Sequence, residues 1–323
     1  MQKKIVFIFI VLASFTILLS SSLINSANRE NPETKGMNTS VTRDAGADVP
    51  EKPVGGNTRS GPKMLSGQVT SLPWEDDQNF KAAREENGTP VLMAAYRTVL
   101  RDPLPGEENN VHLAARLLTG TVVKPGQTFS QNNTVGPYSQ AKGFQKGPVY
   151  IGSQLSTTIG GGVCKLASTL YNVAVLSNLP IIERYSHGMP VPYVPYGQDA
   201  TVAYGCKDIK FMNNTSAPIL IWAQGIDNIL YIGFYGKSKP PRIVWHHNFL
   251  KTIETHKIYR SNPTLPAGSE KVVLEGMKGA IVSSWVTIYN KDGTSQIKRL
   301  GKSYYNPMPY IVEKGAAAAA SSQ

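Results

Sequence analysis

The sequence predicts an α+β chain: a helix-bearing, mostly antiparallel sheet domain followed by a small all-β domain. Three observations lead there. One apolar run with helical spacing (Ala167, Leu170, Tyr171, Ala174, Val175) follows Cys164 and extends to about Asn178. Short β-branched and aromatic runs between turn signals then dominate as far as Tyr235. From His246 the composition changes to strand-like runs separated by Gly268, Gly276, Gly279 and Gly293. A helix packed on an antiparallel sheet is the economical way to bury the first two patterns. With 41% hydrophobic and 17% charged residues, the chain is globular rather than disordered.

At the N-terminus, Met1-Gln-Lys-Lys4 precedes an apolar stretch from Ile5 to Leu19 and then Ser20-Ser-Ser22. That layout, with its positive flank, makes residues 1–27 a signal peptide or a membrane anchor. Extended to Ile24, the stretch reaches the roughly 20 residues that span a bilayer. Either alternative places the rest of the chain outside the cytoplasm, membrane-anchored or secreted to the wall. Residues 28–72 are polar and aperiodic and predict a disordered linker. Packed structure is expected from Trp74, giving a first domain over 73–236.

Val91–Val99 is the first core strand. A helix is expected over Asn110–Leu118, capped by Asn109 or Asn110, burying Val111, Ala114, Ala115 and Leu118 and ended by Gly120. His112 falls on its solvated side. A strand over Thr121–Val123 and a turn at Lys124-Pro-Gly-Gln127 come next. Phe129–Asn133 and Gly136-Pro-Tyr138 are expected to form a surface loop returning to the site. Beyond the Cys164 helix, strands are expected at Ile181–Tyr185, Ala200–Tyr204, Ile209–Met212, Ile219–Ala223 and Ile229–Tyr235. Lys237-Ser-Lys-Pro-Pro241 marks the boundary. The second domain, 246–315, carries strand candidates at Ile253–Tyr259, Lys271–Leu274, Ala280–Tyr289 and Gln296–Leu300, with a hairpin turn at Asn290-Lys-Asp-Gly293. Residues 316–323 are a tail with nothing to pack.

A net charge of +11 suits an exported protein facing an anionic envelope. Nucleic acid is excluded as a partner, because the charge is scattered, without a basic helix or basic-aromatic interleaving. No CxxC or HExxH pair is present to chelate zinc, and no metal or cofactor is expected.

The run Thr158-Ile-Gly-Gly-Gly-Val-Cys164 places a cysteine one residue after three glycines and at a helix start. Unpaired N–H groups and the positive end of the helix dipole lower a thiol pKa there. Gly160, Gly161 and Gly162 let substrate approach the backbone, whose N–H groups are candidates for holding an oxyanion. His187, Asp199 and Asp208 supply the residue types that complete a thiol active site. The bland alternatives are a buried helix cysteine and a Cys164–Cys206 disulfide. The expected chemistry is cysteine acyl transfer.

Residues 91–236 resemble the VanW family, named for an accessory protein of vancomycin-resistance clusters. The resemblance rests on Asn110…Gly120, Pro125-Gly-Gln-Thr-Phe129-Ser130, Val135-Gly136, Gly160-Gly-Gly-Val-Cys164, Ser168-Thr-Leu-Tyr-Asn172, Glu183-Arg184 and His187. It continues through Pro190, Pro195, Gly197, Asp199-Ala-Thr201, Tyr204-Gly205 and Asp208. Residues 246–315 resemble, more loosely, the G-five domain, through Leu265-Pro266, Gly268, Glu275-Gly276, Gly279 and Gly315. The resemblance implies a surface enzyme of peptidoglycan, a cysteine-dependent L,D-transpeptidase with Cys164 as nucleophile and His187 as base. Asp199 or Asp208 is then the third group, and Cys206, which has no family role, is structural. Lys165 stands where Gln is common and would replace an oxyanion donor only as a cation. Gly188 stands where a small hydroxyl residue is common. Arg184 is a candidate for holding a stem-peptide carboxylate, with a solvated strand-end arginine as the alternative. The implied partners are stem peptides and glycan, with wall polymer binding the second domain through its ten Lys/Arg against five Asp/Glu and through Trp285 and Tyr289. A hydrolase with the same residues and a non-catalytic wall-binding scaffold are the other readings.

Overall fold

The computed structural model describes residues 65–99, 103, 106–151 and 154–315. The expected signal or anchor, the linker up to 64 and the tail at 316–323 lie outside the described residues. Among the described residues no helix is long and apolar enough to cross a membrane.

The chain opens with β1 (Gly67–Gln68), α1 (Gln78–Glu86), β2 (Val91–Val99), α2 (Glu107–Leu118), β3 (Thr121–Val123) and β4 (Thr128–Ser130). It continues through α3 (Gln131–Thr134), the hairpin β5 (Lys146–Ile151) and β6 (Gln154–Ile159), α4 (Cys164–Leu176), β7 (Ile181–Glu183) and β8 (Lys210–Met212). The long strands β9 (Ile219–Ile226) and β10 (Ile229–Gly236) follow. The rest is strand: β11 (Arg242–Ile253), β12 (Lys257–Asn262), β13 (Glu270–Leu274), β14 (Gly279–Tyr289), β15 (Ser295–Tyr305) and β16 (Tyr310–Gly315). The class is α+β.

The frame is an antiparallel five-stranded sheet in the order β1-β2-β10-β9-β3. Period-2 alternation divides its side chains between two faces. Ala94, Tyr96, Ile221, Ala223, Leu230, Ile232 and Phe234 join the main core under α2 and α4. Ala95, Leu220, Trp222 and Tyr235 face a second cluster with Leu72, Trp74 and Phe80. Asp77 caps α1 by accepting from the N–H groups of Asn79 (2.7 Å) and Phe80 (3.3 Å), which aims Phe80 into that cluster. The end of the expected linker is therefore folded: Leu72 is buried and β1 pairs with β2.

Every residue of α4 from Lys165 to Leu176 is buried. The helix lies against β2 and β10 and also touches β11, where Tyr171 meets Trp245 edge-on at 5.8 Å. Ile243, Val286 and Ile288, from the sheet β11-β14-β15, share the same core. The strand structure after the boundary thus begins at Arg242, earlier than the expected 246. The remaining sheets are β12-β16-β13, β4-β8-β7 and the β5-β6 hairpin.

Several local expectations change, among them the strand over Ile253–Tyr259, which is split between the end of β11 and the start of β12. Helix α2 starts at Glu107 with Gly106 as N-cap, and Asn109 and Asn110 lie inside it. Asn110 instead faces the interior, because its side chain satisfies the backbone of Gln145, just before β5, and of the glycine turn. His112 is half-buried rather than freely solvated: its Nε2 lies 2.6 Å from the Asp227 carbonyl, against Gly225. The Phe129–Asn133 segment is β4 and α3, with Phe129, Ser130, Gln131 and Asn132 buried. Ala200–Tyr204 forms no strand beyond the bridge Ala203–Lys207, since its groups are spent on Cys164, Ser168 and Tyr185.

Candidate active site

Cys164 is the first residue of α4 because the glycines before it make a turn no other residue would allow. Gly160 and Gly162 have φ of 78° and 99°, and a Cβ on Gly162 would sit 2.6 Å from Glu107 Cγ. A Cβ on Gly161 would sit 2.1 Å from the Gly147 carbonyl oxygen. Asn110 pins this turn: its Nδ2 donates to the carbonyls of Gln145 (2.9 Å) and Gly161 (2.8 Å), and its Oδ1 accepts from Gln145 N–H (2.8 Å). The N–H groups of Gly160 and Gly161 are used within the turn, donating to Gln145 and Thr158. They are not available as oxyanion donors. Among the described residues the N–H groups of Gly162 and Cys164 have no acceptor, and they remain the backbone candidates.

The Cys164 Sγ lies 3.3 Å from Thr201 Oγ1 and accepts from Val202 N–H at 3.4 Å. The His187 imidazole is close enough to the thiol for each to shift the other's charge. Its Nδ1 is taken by Asp199 Oδ2 at 2.7 Å, which leaves Nε2 for Cys164. Burial pushes the Cys164 thiol up, but the bonds from His187, Thr201 and Val202 and the imidazolium charge outweigh it and hold the thiol below its ordinary value. His187 moves the other way. Burial disfavours its charge, but Asp199 and Cys164 raise it from 6.5 to about 9. Burial also pushes the Asp199 carboxyl up, and His187 and Arg184 outweigh it and hold the carboxyl down. The arrangement favours a thiolate–imidazolium pair, the activated form of a cysteine nucleophile.

Of the two candidate carboxylates, the structure places Asp199 on His187. At 1% exposure it accepts four hydrogen bonds: His187 N–H and Nδ1 on Oδ2 (2.7 Å each), and Arg184 Nη2 (2.9 Å) and Tyr305 OH (2.5 Å) on Oδ1. Asp208 is buried elsewhere. It accepts from Ser130 Oγ (2.5 Å) and from the N–H groups of Asn132 (3.1 Å) and Ile209 (2.9 Å), holding β4 and α3 against β8.

Arg184 is neither solvated nor open to a substrate carboxylate. Its guanidinium bonds the Asp199 carboxylate and carbonyl and Ser303 Oγ, and lies 5.1 Å over the Tyr171 ring. Lys165, although next to the thiol in sequence, points away from it. Its Nζ donates to the Asn228 carbonyl at 2.7 Å, in a small recess lined by Glu107, Glu108 and His112. Burial lowers it to about 8 against the pull of the two glutamates. It does not replace an oxyanion donor. Cys206 is an exposed free thiol in the Ala203–Lys207 turn, so neither the disulfide nor a structural role applies.

Residues 106–235 match the model of the family described as VanW like protein. Over that segment the chain is VanW-like. Over 146 residues the chain is 38% identical to the uncharacterized protein YoaR of Bacillus subtilis (strain 168), covering 45% of this chain and 48% of that protein. Over 141 residues it is 32% identical to the vancomycin B-type resistance protein VanW of Enterococcus faecalis (strain ATCC 700802 / V583), covering 42% and 51% respectively. The chain spans about half the length of the curated relatives it matches. Among solved structures it is similar to the IgA1 protease G5 domain, at 24% identity and a TM-score of 0.16, over 24% of this chain and 94% of that one.

The VanW-like segment holds Cys164, His187 and Asp199 and the two partners of the thiol, Thr201 and Val202. Thr201 lies inside the Asp199-Ala-Thr201 motif, yet nothing in its spacing tells that its hydroxyl meets a thiol. Tyr305 and Ser303 lie outside the VanW-like segment altogether, on β15. No sequence signal marks them, because their link to Asp199 and Arg184 is made only by the packing of two sheets.

Proposed function

We propose that this chain is an extracytoplasmic cysteine acyltransferase of peptidoglycan, an L,D-transpeptidase that joins stem peptides through a Cys164 thioester. The observation that carries this reading is the Cys164–His187–Asp199 relay at the start of α4, whose charges favour the ion-paired thiolate. The net charge of +11 supports attraction to an anionic wall, and a relative named for vancomycin resistance supports a cell-wall setting. In this reading residues 1–27 export or anchor the chain. Residues 73–236 are the catalytic domain, and 246–315 bind wall polymer.

The thiolate attacks the carbonyl carbon that precedes a terminal D-alanine, forming the C–S bond. The N–H groups of Cys164 and Gly162 are the donors available to the oxyanion. The C–N bond then breaks, and the departing amine takes its proton from His187 Nε2. A neighbouring stem amine attacks the thioester, His187 accepts its proton, and the thiolate is restored. Arg184 is consumed internally, so the substrate carboxylate falls to Lys207. This lysine lies 5.9 Å over the Tyr185 ring in the turn that follows Val202. The exposed rings of Tyr185 and Tyr204 flank the same region.

The test is incubation of the purified chain with disaccharide-tetrapeptides, followed by mass spectrometry. Dimers lacking one D-alanine, absent with Cys164→Ala, are expected. Monomers lacking one D-alanine would replace the transferase by a hydrolase. No product from the folded parent would overturn the enzyme reading in favour of a wall-binding scaffold.

A further inference from the structure

The segment that carries both His187 and Asp199 does not hold its own shape. Strands from beyond the VanW-like segment hold it. The Gly188 carbonyl accepts from Asn306 N–H at 2.8 Å, directly beside His187. Tyr196 OH donates to the Lys278 carbonyl at 2.6 Å, and Gln198 Nε2 lies 2.9 Å from His247 Nε2. At Gly197, with φ of 83°, a Cβ would lie 2.1 Å from Ser284 Oγ, so β14 packs directly on this backbone. Ser303 and Tyr305, two residues apart on one face of β15, are both buried and both reach the Asp199 carboxylate: Tyr305 directly, and Ser303 through Arg184.

We propose that Tyr305 is a positioning residue of the catalytic centre, its hydroxyl setting the angle at which Asp199 presents His187 to Cys164. The argument rests on the reading of these three residues as one catalytic unit. A carboxylate turns easily about its last torsion, because that rotor is broad and roughly two-fold. Oδ2 carries both bonds to His187, so its place depends on what holds Oδ1. Oδ1 has two donors, Tyr305 OH from β15 and Arg184 Nη2, whose Nη1 donates to Ser303 on the same strand. The Tyr305 hydroxyl also accepts from Gly197 N–H at 2.8 Å, which fixes the oxygen between the carboxylate and the backbone of the same loop. Burial and the Asp199 charge keep the phenol protonated, so it remains a donor throughout the working range. Catalysis by the VanW-like segment therefore depends on residues outside it, and the strands after residue 242 are part of the active centre as well as any wall contact they make.

The test is the pH dependence of Cys164 alkylation by iodoacetamide in the full chain carrying Cys206→Ser, with and without Tyr305→Phe. Phenylalanine keeps the ring that meets Tyr196 edge-on at 5.3 Å and removes only the hydroxyl. The parent is expected to alkylate well below the ordinary thiol range, which centres near 8.5. In Tyr305→Phe the midpoint should move toward that ordinary value. The rate at pH 6.5 should drop about tenfold or more, the scale on which misplacement of a catalytic group acts. kcat should fall with KM unchanged. Superimposable curves from two folded proteins would overturn the proposal, because a residue that merely supports the fold would leave the midpoint in place. If the parent itself alkylates at Cys164 only in the ordinary range, the nucleophile reading fails rather than the positioning role. Should Tyr305→Phe not fold, Tyr305→Met, which keeps apolar bulk without a donor, takes its place, and an unshifted midpoint there overturns the proposal equally.

Discussion

Asp199→Asn separates the two carboxylates that the sequence left equivalent. In the parent, Asp199 Oδ2 accepts from both His187 N–H and Nδ1, while Oδ1 accepts from Arg184 and Tyr305. An amide has one acceptor oxygen, so two of these four donors lose their partner. If its NH₂ faces Nδ1, the imidazole is forced into the tautomer whose Nε2 carries the proton and does not take one from Cys164. Neutralising the orienting carboxylate of a catalytic triad costs about 10⁴ in kcat, and the same scale is expected here. Stability also suffers, because Arg184 becomes a buried cation with no counter-charge. Breaking a buried pair costs about 3–5 kcal/mol, equivalent to about 6–20 °C in Tm for a domain of this size. Asp208→Asn is the matched control. Its oxygen still accepts from the Asn132 and Ile209 N–H groups, and the Ser130 hydroxyl reverses to accept. The cost should be about 1 kcal/mol, with kcat within a fewfold of the parent. The assay is cross-linked dimer formation per folded protein, with Tm from thermal circular dichroism. Asp199→Asn within tenfold of the parent, or Asp208→Asn matching its loss, would refute the assignment.

The pH dependence follows from His187, raised from 6.5 to about 9, and from Cys164 and Asp199, both held down. kcat/KM should fall above about pH 9 as the imidazolium deprotonates, and the acid limb should lie below the ordinary thiol range. A histidine raised on folding contributes stability that is complete below 6.5 and lost by about 9. The Tm gap between the parent and His187→Ala should therefore narrow across that interval, and a gap independent of pH would contradict the charge assignment. Phe80→Ala tests the far face of the sheet, where Phe80 meets Trp222 at 5.2 Å and Tyr235 at 4.7 Å. It should cost about 3–5 kcal/mol, seen as a lowered Tm, while kcat at 25 °C stays at the parental value.

The parts whose cause is local are legible in the residues alone. The apolar spacing from Ala167 to Val175 is enough to make α4, and the three glycines are enough to start it at Cys164, because only residues without a Cβ pass that turn. Strands β2, β9, β10 and β14 were legible from their runs and turn signals, and the α+β class follows from their order. The buried face of α2 was legible too, although its start was not: Asn110 looks like a cap but serves the interior. Linker composition concealed that Leu72 covers a sheet face beside Trp74, since one apolar residue in a polar stretch has no period to betray it.

Tertiary structure decided the choices among residues of equal chemistry. Asp199 and Asp208 are the same group a few residues apart, and only the folded loop puts one on His187 and the other on Ser130. Arg184 and Lys165 both looked free to meet a substrate. Burial turned the first toward Asp199 and the second toward Asn228, because a buried cation has to find oxygen atoms wherever the fold offers them. Tyr305 carried no signal at all. A hydrogen bond spanning 106 residues is a property of two sheets meeting, and no local pattern records where they meet.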